Sequence, residues 1–93
     1  MAVKVKIPVP LRRLTQGKEE IDGVPGTIID FINDLEQKYP GMAEMIVSQG
    51  KVRKFVNVYI NGEDIRLLQE EQTQVRDGDE VLIVPAIAGG AYP

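Results

Sequence analysis

Two consecutive glycines, Gly89 and Gly90, lie close to the end of the chain, with only three residues after them. They follow an apolar segment, residues 81–87, whose composition is typical of a β-strand. Glycine has no Cβ, so the carbonyl carbon of a glycine next to another glycine is open to chemical attack. The spacing therefore indicates an acyl handle at the edge of a small domain, on which another protein performs chemistry.

The composition excludes several kinds of site. The 93 residues include no cysteine and no histidine, so the chain has no thiol, no Cys/His zinc site and no serine–histidine triad. The formal charge of −3 argues against a nucleic-acid partner. No apolar run approaches a membrane span, and the first residues do not form a signal-peptide pattern. We expect a cytoplasmic, single-domain protein that is no enzyme, binds no cofactor and has no membrane partner.

The first half of the chain predicts a β-hairpin followed by a helix. Alternating residues from Val3 to Ile7 predict one strand, and Lys18–Ile21 predicts its partner, with a loop over Leu11–Gly17 between them. Thr27 is expected to cap a helix that ends near Lys38. The apolar residues of this helix recur at helical spacing and predict its buried face: Ile28, Phe31, Ile32 and Leu35.

The second half predicts a short helix and then strands. Met42–Ser48 favours the helix, with Met45 and Ile46 covering the core. Phe55–Asn61 predicts a strand, and Asn61-Gly62 is typical of a hairpin turn. The remaining predictions are a brief strand at Ile65-Arg66, a tight turn over Asp77–Glu80, and a central strand over Val81–Ile87 that is apolar on both faces.

Together these elements predict an α+β protein with a β-grasp (ubiquitin-like) fold. Its mixed sheet of four to five strands would pack on one main helix. We expect the folded domain to cover residues 1–88 and a flexible tail to cover residues 89–93.

Four motifs together resemble a known family. They are Ile7-Pro8 with Leu11-Arg12, the strand Phe55–Asn61, the turn Asp77–Val81, and the ending Pro85–Gly90. The chain resembles the ubiquitin-like sulfur carriers, the group that includes the small subunit of molybdopterin synthase and the thiamin sulfur carrier. It is most similar to the branch that supplies sulfur for cysteine or methionine synthesis.

This resemblance implies that Gly90 is adenylated and then converted to a thiocarboxylate. Gly89 and Ala88 would thread with it into a narrow channel. Most family members end at the double glycine, whereas this chain continues with Ala91-Tyr92-Pro93. The extension implies a precursor, in which cleavage between Gly90 and Ala91 removes the cap.

The resemblance also implies that partner proteins supply every chemical step. They are an ATP-dependent activating enzyme, a sulfur donor, a zinc metalloprotease, and a pyridoxal-phosphate sulfhydrylase or cysteine synthase; ATP and zinc are used by these partners only. Phe55 and Tyr59 are candidate docking residues if they lie on the open face of the sheet, and core residues otherwise. Five surface cations could pair with acidic patches on partners, although each one taken singly is expected to be solvated: Arg12, Arg13, Arg53, Lys54 and Arg66.

Three alternatives remain open at this point. In the first, the sulfur serves molybdopterin or thiamin synthesis instead of amino-acid synthesis. In the second, Gly90 forms isopeptide bonds with lysines of target proteins, as ubiquitin-like modifiers do. In the third, the chain is a β-grasp binding module without covalent chemistry, and the glycines have no function.

Overall fold

The structure is a computed structural model that describes residues 2–85. The described chain contains nine strands and two α-helices. In chain order they are β1 (Val3–Lys6), β2 (Glu20–Gly23), β3 (Gly26–Thr27), α1 (Ile28–Lys38), α2 (Met42–Ile46), β4 (Val47–Ser48), β5 (Lys51–Val52), β6 (Val56–Ile60), β7 (Glu63–Asp64), β8 (Gln74–Val75) and β9 (Glu80–Pro85). Three 3-10 helices lie between them, at Val9–Thr15, Ile65–Leu67 and Glu70–Gln72.

A five-stranded mixed sheet forms one layer, in the order β2-β1-β9-β6-β7. β1 and β9 run parallel, and every other neighbouring pair in this sheet is antiparallel. Two further two-stranded pairings, β3 with β8 and β4 with β5, lie outside it. This arrangement confirms the predicted β-grasp fold and the central position of the last strand.

Helix α1 covers one face of the sheet. Thr27 caps it by accepting a hydrogen bond from the Asp30 backbone N–H at 3.2 Å, as predicted. The four predicted core residues of α1 are all buried. Gly23 in β2 lies directly under Phe31, where a Cβ would collide with the ring. Close contact between helix and sheet therefore requires glycine at this position.

Several predicted boundaries in the first half were wrong. Most of the expected loop over Leu11–Gly17 lies in a 3-10 helix, Val9–Thr15. Pro10 suits the first turn of this helix, and Leu11 is buried in the core. β2 begins at Glu20 rather than Lys18, because the Lys18 N–H donates to the Thr15 carbonyl within a turn.

The second half required three corrections. The helix at Met42 ends at Ile46, because the next residues turn back to form the β4–β5 hairpin. Within it, Met45 does not cover the core as predicted, since it is 36% exposed. The strand predicted at Ile65-Arg66 lies at Glu63–Asp64, since the two-residue turn Asn61-Gly62 sets Glu63 opposite Ile60. β6 begins at Val56, one residue after Phe55.

Candidate functional site

The predicted tail, residues 89–93, follows β9, whose last described residue is Pro85; we call Pro85 the tail root. Pro85 is the register partner of Val56, so the root of the tail lies beside the beginning of β6. The predicted reactive and cleavage residues lie outside the described residues: Ala88, Gly89, Gly90 and Ala91. The five residues that follow Pro85, up to Gly90, span at most about 17 Å, which bounds the distance between Pro85 and the reacting carbonyl.

The face of the sheet opposite α1 is open, and it is divided into two halves. On β1 and β2 it carries charged residues, and Lys6 Nζ lies 3.5 Å from a Glu20 carboxylate oxygen and 3.8 Å from one of Glu80, the first residue of β9. Beyond Glu80, the outward positions of β9 are Leu82 and Val84, and those of β6 are Asn57 and Tyr59. Leu82 and Tyr59 lie opposite each other in register. The apolar half is therefore the half next to the tail root.

Leu82 was missed by sequence reasoning. The strand Val81–Ile87 was predicted to be central in the sheet because it is apolar on both faces. The central position is confirmed, but Val81 and Ile83 are buried while Leu82 is 39% exposed, so one face of β9 is open. An apolar residue at the outward position of an alternating strand is the signal that would have found it.

The two predicted docking residues differ in position and exposure. Tyr59 is half-buried near the end of β6, on the open face. Phe55 lies in the turn before β6 and is 49% exposed. Phe55 is thus beside the tail root, while Tyr59 belongs to the apolar half of the open face.

Arg66 holds the end of β6 beside the tail root. Its guanidinium donates to the carbonyls of Lys54 at 3.2 Å and Val56 at 3.3 Å, and to the Asn57 side-chain oxygen at 2.6 Å. β7 pairs only with Tyr59 and Ile60, so Arg66 takes the place of a neighbouring strand along the rest of β6. The expectation that this cation is merely solvated was wrong.

A groove of about 450 Å³ adjoins this clamp. Its lining includes Lys54, Phe55, Arg66, Glu70 and Glu71. The Lys54 ammonium lies 5.9 Å from the centre of the Phe55 ring, within the range of a cation–π contact. The groove is therefore bordered by an exposed aromatic ring and a cation, on a backbone that Arg66 fixes.

The described residues contain neither a candidate metal site nor a candidate membrane span. Within residues 2–85, no group of three or more His, Asp, Glu or Cys side chains is placed to hold a metal ion. No helix of the same range is long and apolar enough to span a membrane.

Comparisons with known proteins agree with this geometry. A family model described as the ThiS family matches residues 5–90. The sulfur carrier protein CysO of Mycobacterium tuberculosis is 42% identical over 93 residues, covering 97% of this chain and 100% of that protein. The solved structure of the Amycolatopsis orientalis BexX/CysO complex contains a chain with a TM-score of 0.89 and 38% identity, covering 96% of this chain and 100% of that one. The crystal structure of M. tuberculosis CysO gives a TM-score of 0.86 at 40% identity, covering 91% and 99%.

Proposed function

Because the chain belongs to the ThiS family, we propose that its Gly90, once exposed as the C-terminus, carries sulfur as a thiocarboxylate for cysteine or homocysteine synthesis. Family membership confirms the predicted resemblance, and close relatives are named sulfur carriers rather than enzymes. One observation carries the proposal: the family match ends at residue 90, where cleavage of the cap is predicted. The three residues beyond it have no counterpart in that match.

The sulfur is loaded in two steps, both catalysed by partners. The Gly90 carboxylate attacks the α-phosphorus of ATP, pyrophosphate leaves, and an acyl adenylate forms. A sulfur nucleophile from the donor then attacks the acyl carbon, and AMP leaves. Activation is necessary because a carboxylate is a poor acyl donor. The chain itself needs no cysteine, because its backbone acyl carbon holds the sulfur.

The cap must be removed before loading. While Ala91-Tyr92-Pro93 is attached, the terminal carboxylate belongs to Pro93, whose ring stiffens the backbone. Tyr92 is too bulky for a channel that accepts Gly89 and Gly90. A zinc metalloprotease that cleaves the Gly90–Ala91 bond would expose a thin, unhindered terminus.

Delivery of the sulfur requires an acceptor enzyme. A pyridoxal-phosphate sulfhydrylase or cysteine synthase would present an activated serine or homoserine ester, from which the thiocarboxylate sulfur displaces the ester group. Hydrolysis of the adduct then releases the amino acid and restores the Gly90 carboxylate. The M. tuberculosis relative is named CysO, which supports the cysteine branch, and a relative of this chain forms a BexX/CysO complex, which supports action through partner proteins.

The proposal is tested with chains of different length and the adenylating enzyme of the same organism. The chain that ends at Gly90 is expected to support ATP–pyrophosphate exchange, because its acyl carbon reaches ATP. The full chain that ends at Pro93 is expected to be inactive until the protease is added. A chain that ends at Gly89 is the matched control, since it also ends in glycine but is one residue short. Equal exchange by all three chains would contradict the assignment of Gly90.

A further inference from the structure

Three cations precede Val56, the residue of β6 that is the register partner of the tail root Pro85. Lys51, Arg53 and Lys54 fall within four residues, and all three side chains are exposed. Together with Phe55 they form what we call the tail-root knob, defined as Lys51, Arg53, Lys54 and Phe55. The chain as a whole has a formal charge of −3, so this knob is a positive region on a negative protein.

The cations of the knob form no ion pair with a carboxylate of the described chain. Ion pairs within residues 2–85 use Lys6, Lys38 and Arg66, and none places a carboxylate oxygen within 4.0 Å of the three knob cations. Two nearby carboxylates are already engaged: Glu71 accepts from the Val52 N–H at 2.8 Å, and Asp64 pairs with Arg66. Glu70 lines the neighbouring groove.

The backbone of the knob is fixed by hydrogen bonds on both sides. Arg66 holds the carbonyl of Lys54, as described above. The Arg53 backbone N–H donates to the Ile46 carbonyl at 2.7 Å, and its side-chain Nε donates to the Glu44 carbonyl at 2.8 Å. A surface held in this way loses little conformational entropy on binding, which favours a docking role.

Phe55 is an unusual residue to leave exposed. The chain has only two phenylalanines, and the other, Phe31, is buried in the core. Aromatic rings surrounded by charge are typical anchors of protein interfaces. Since Gly90 is at most about 17 Å from Pro85, a partner that binds the tail around Gly90 also meets the surface around the root.

We propose that the tail-root knob docks on an acidic rim around the channel of the enzyme that adenylates Gly90. Phe55 inserts into an apolar recess of that rim, and Lys51 and Lys54 face its carboxylates. The attraction steers the net-negative carrier into a productive orientation and brings the tail to the channel. This inference rests on the proposed function, because it names the surface through which the same tail is delivered.

The test compares two doubly substituted chains, both ending at Gly90. Lys51→Glu/Lys54→Glu reverses the knob, and Arg13→Glu/Lys18→Glu reverses two exposed cations elsewhere. The two variants have the same net charge, so any difference between them reports position. ATP–pyrophosphate exchange by the adenylating enzyme is measured against carrier concentration, at low and high salt.

Reversal of the knob is expected to raise the KM for the carrier about tenfold or more relative to the control, with kcat unchanged. The difference should shrink at about 1 M salt, where charges are screened beyond about 3 Å. Phe55→Ala is expected to raise KM at least about fivefold. Val24→Ala, at a comparably exposed apolar residue, should leave KM unchanged.

Two results overturn the docking proposal alone. In the first, the chain without substitutions supports ATP–pyrophosphate exchange, but the KM values of the two double variants agree within experimental error. The other is an effect confined to removal of residues 91–93, which would assign the knob to the protease. Failure of the unmodified chain that ends at Gly90 to support exchange would instead contradict the proposed function, and the docking proposal with it.

Discussion

The two ends of β6 are both held by side chains, but they present different surfaces. At one end, the Asn61 side chain joins the hairpin to the neighbouring turn: its Nδ2 donates to Asp79 Oδ1, and its Oδ1 accepts from the Glu80 N–H, both at 3.0 Å. At the other end, Arg66 bridges the carbonyls of Lys54 and Val56. The Asn61 end completes a turn, whereas the Lys54 end holds an exposed aromatic ring and cations beside the tail.

Side-chain hydrogen bonds therefore have different consequences at the two ends of β6. Asp79 also accepts from the Arg76 N–H at 2.9 Å, so the Asn61 end is a closed network around the start of β9. The Arg66 end instead borders a groove whose lining includes charged side chains that a partner can contact. We therefore expect changes at the Asn61 end to affect stability, and changes at the Arg66 end to affect both stability and partner binding.

The largest loss of stability is expected for Asn61→Ala, about 2 kcal/mol. The change removes two hydrogen bonds and places alanine at a φ of +52°, where a Cβ is strained. Asn61→Gly is the matched control: it loses the same bonds without the strain, and should cost about 1 kcal/mol. Urea unfolding measures both. An adenylation KM that rises with Asn61→Ala would remove the distinction between the two ends.

A smaller loss, about 1 kcal/mol, is expected for Arg66→Ala, together with a higher KM for adenylation. The loss arises because the carbonyls of Lys54 and Val56 lose their donor on an exposed edge of the sheet. Arg66→Lys should restore little of either property, because an ammonium cannot reproduce the planar fork of the guanidinium. Full recovery by lysine, in urea unfolding and in KM, would show that only the charge of Arg66 matters.

The smallest effect is expected for Lys6→Ala, at most about 0.5 kcal/mol. Both of its ion pairs involve half-exposed side chains, and such pairs contribute little in water. Lys6 lies on the charged half of the open face, away from the tail-root knob, so KM should not change. Urea unfolding and the exchange assay on this variant give the baseline for the other two. A clear rise in KM would mean that docking extends across the open face.

The parts of the fold that depend on local sequence were predicted well. The apolar spacing of α1 predicted its buried face, because a helix repeats every 3.6 residues. Asn61-Gly62 predicted its turn, because both residues tolerate the positive φ that a two-residue hairpin requires. The resemblance to sulfur carriers rested on motifs in the sequence and was confirmed by the family match.

The parts that depend on distant contacts were not predicted. Arg66 holds carbonyls 10 and 12 residues away, so no local pattern distinguishes it from a solvated cation. The exposure of Leu82 was not predicted, because hydropathy does not reveal which side of a central strand is covered by other described residues. The position of Phe55 outside β6 was not predicted either. The exact ends of a strand are the part of a structure that sequence patterns determine least.

The account is tested most directly by the intact mass of the protein recovered from its own cells during sulfur-replete growth. It predicts a species that ends at Gly90, part of which has one terminal oxygen replaced by sulfur. A chain found only in its full form through Pro93, with no sulfur-bearing species, would contradict the central claim. Recovery of Gly90 only in conjugates with lysines of larger proteins would also contradict it, and would identify the chain as a protein modifier.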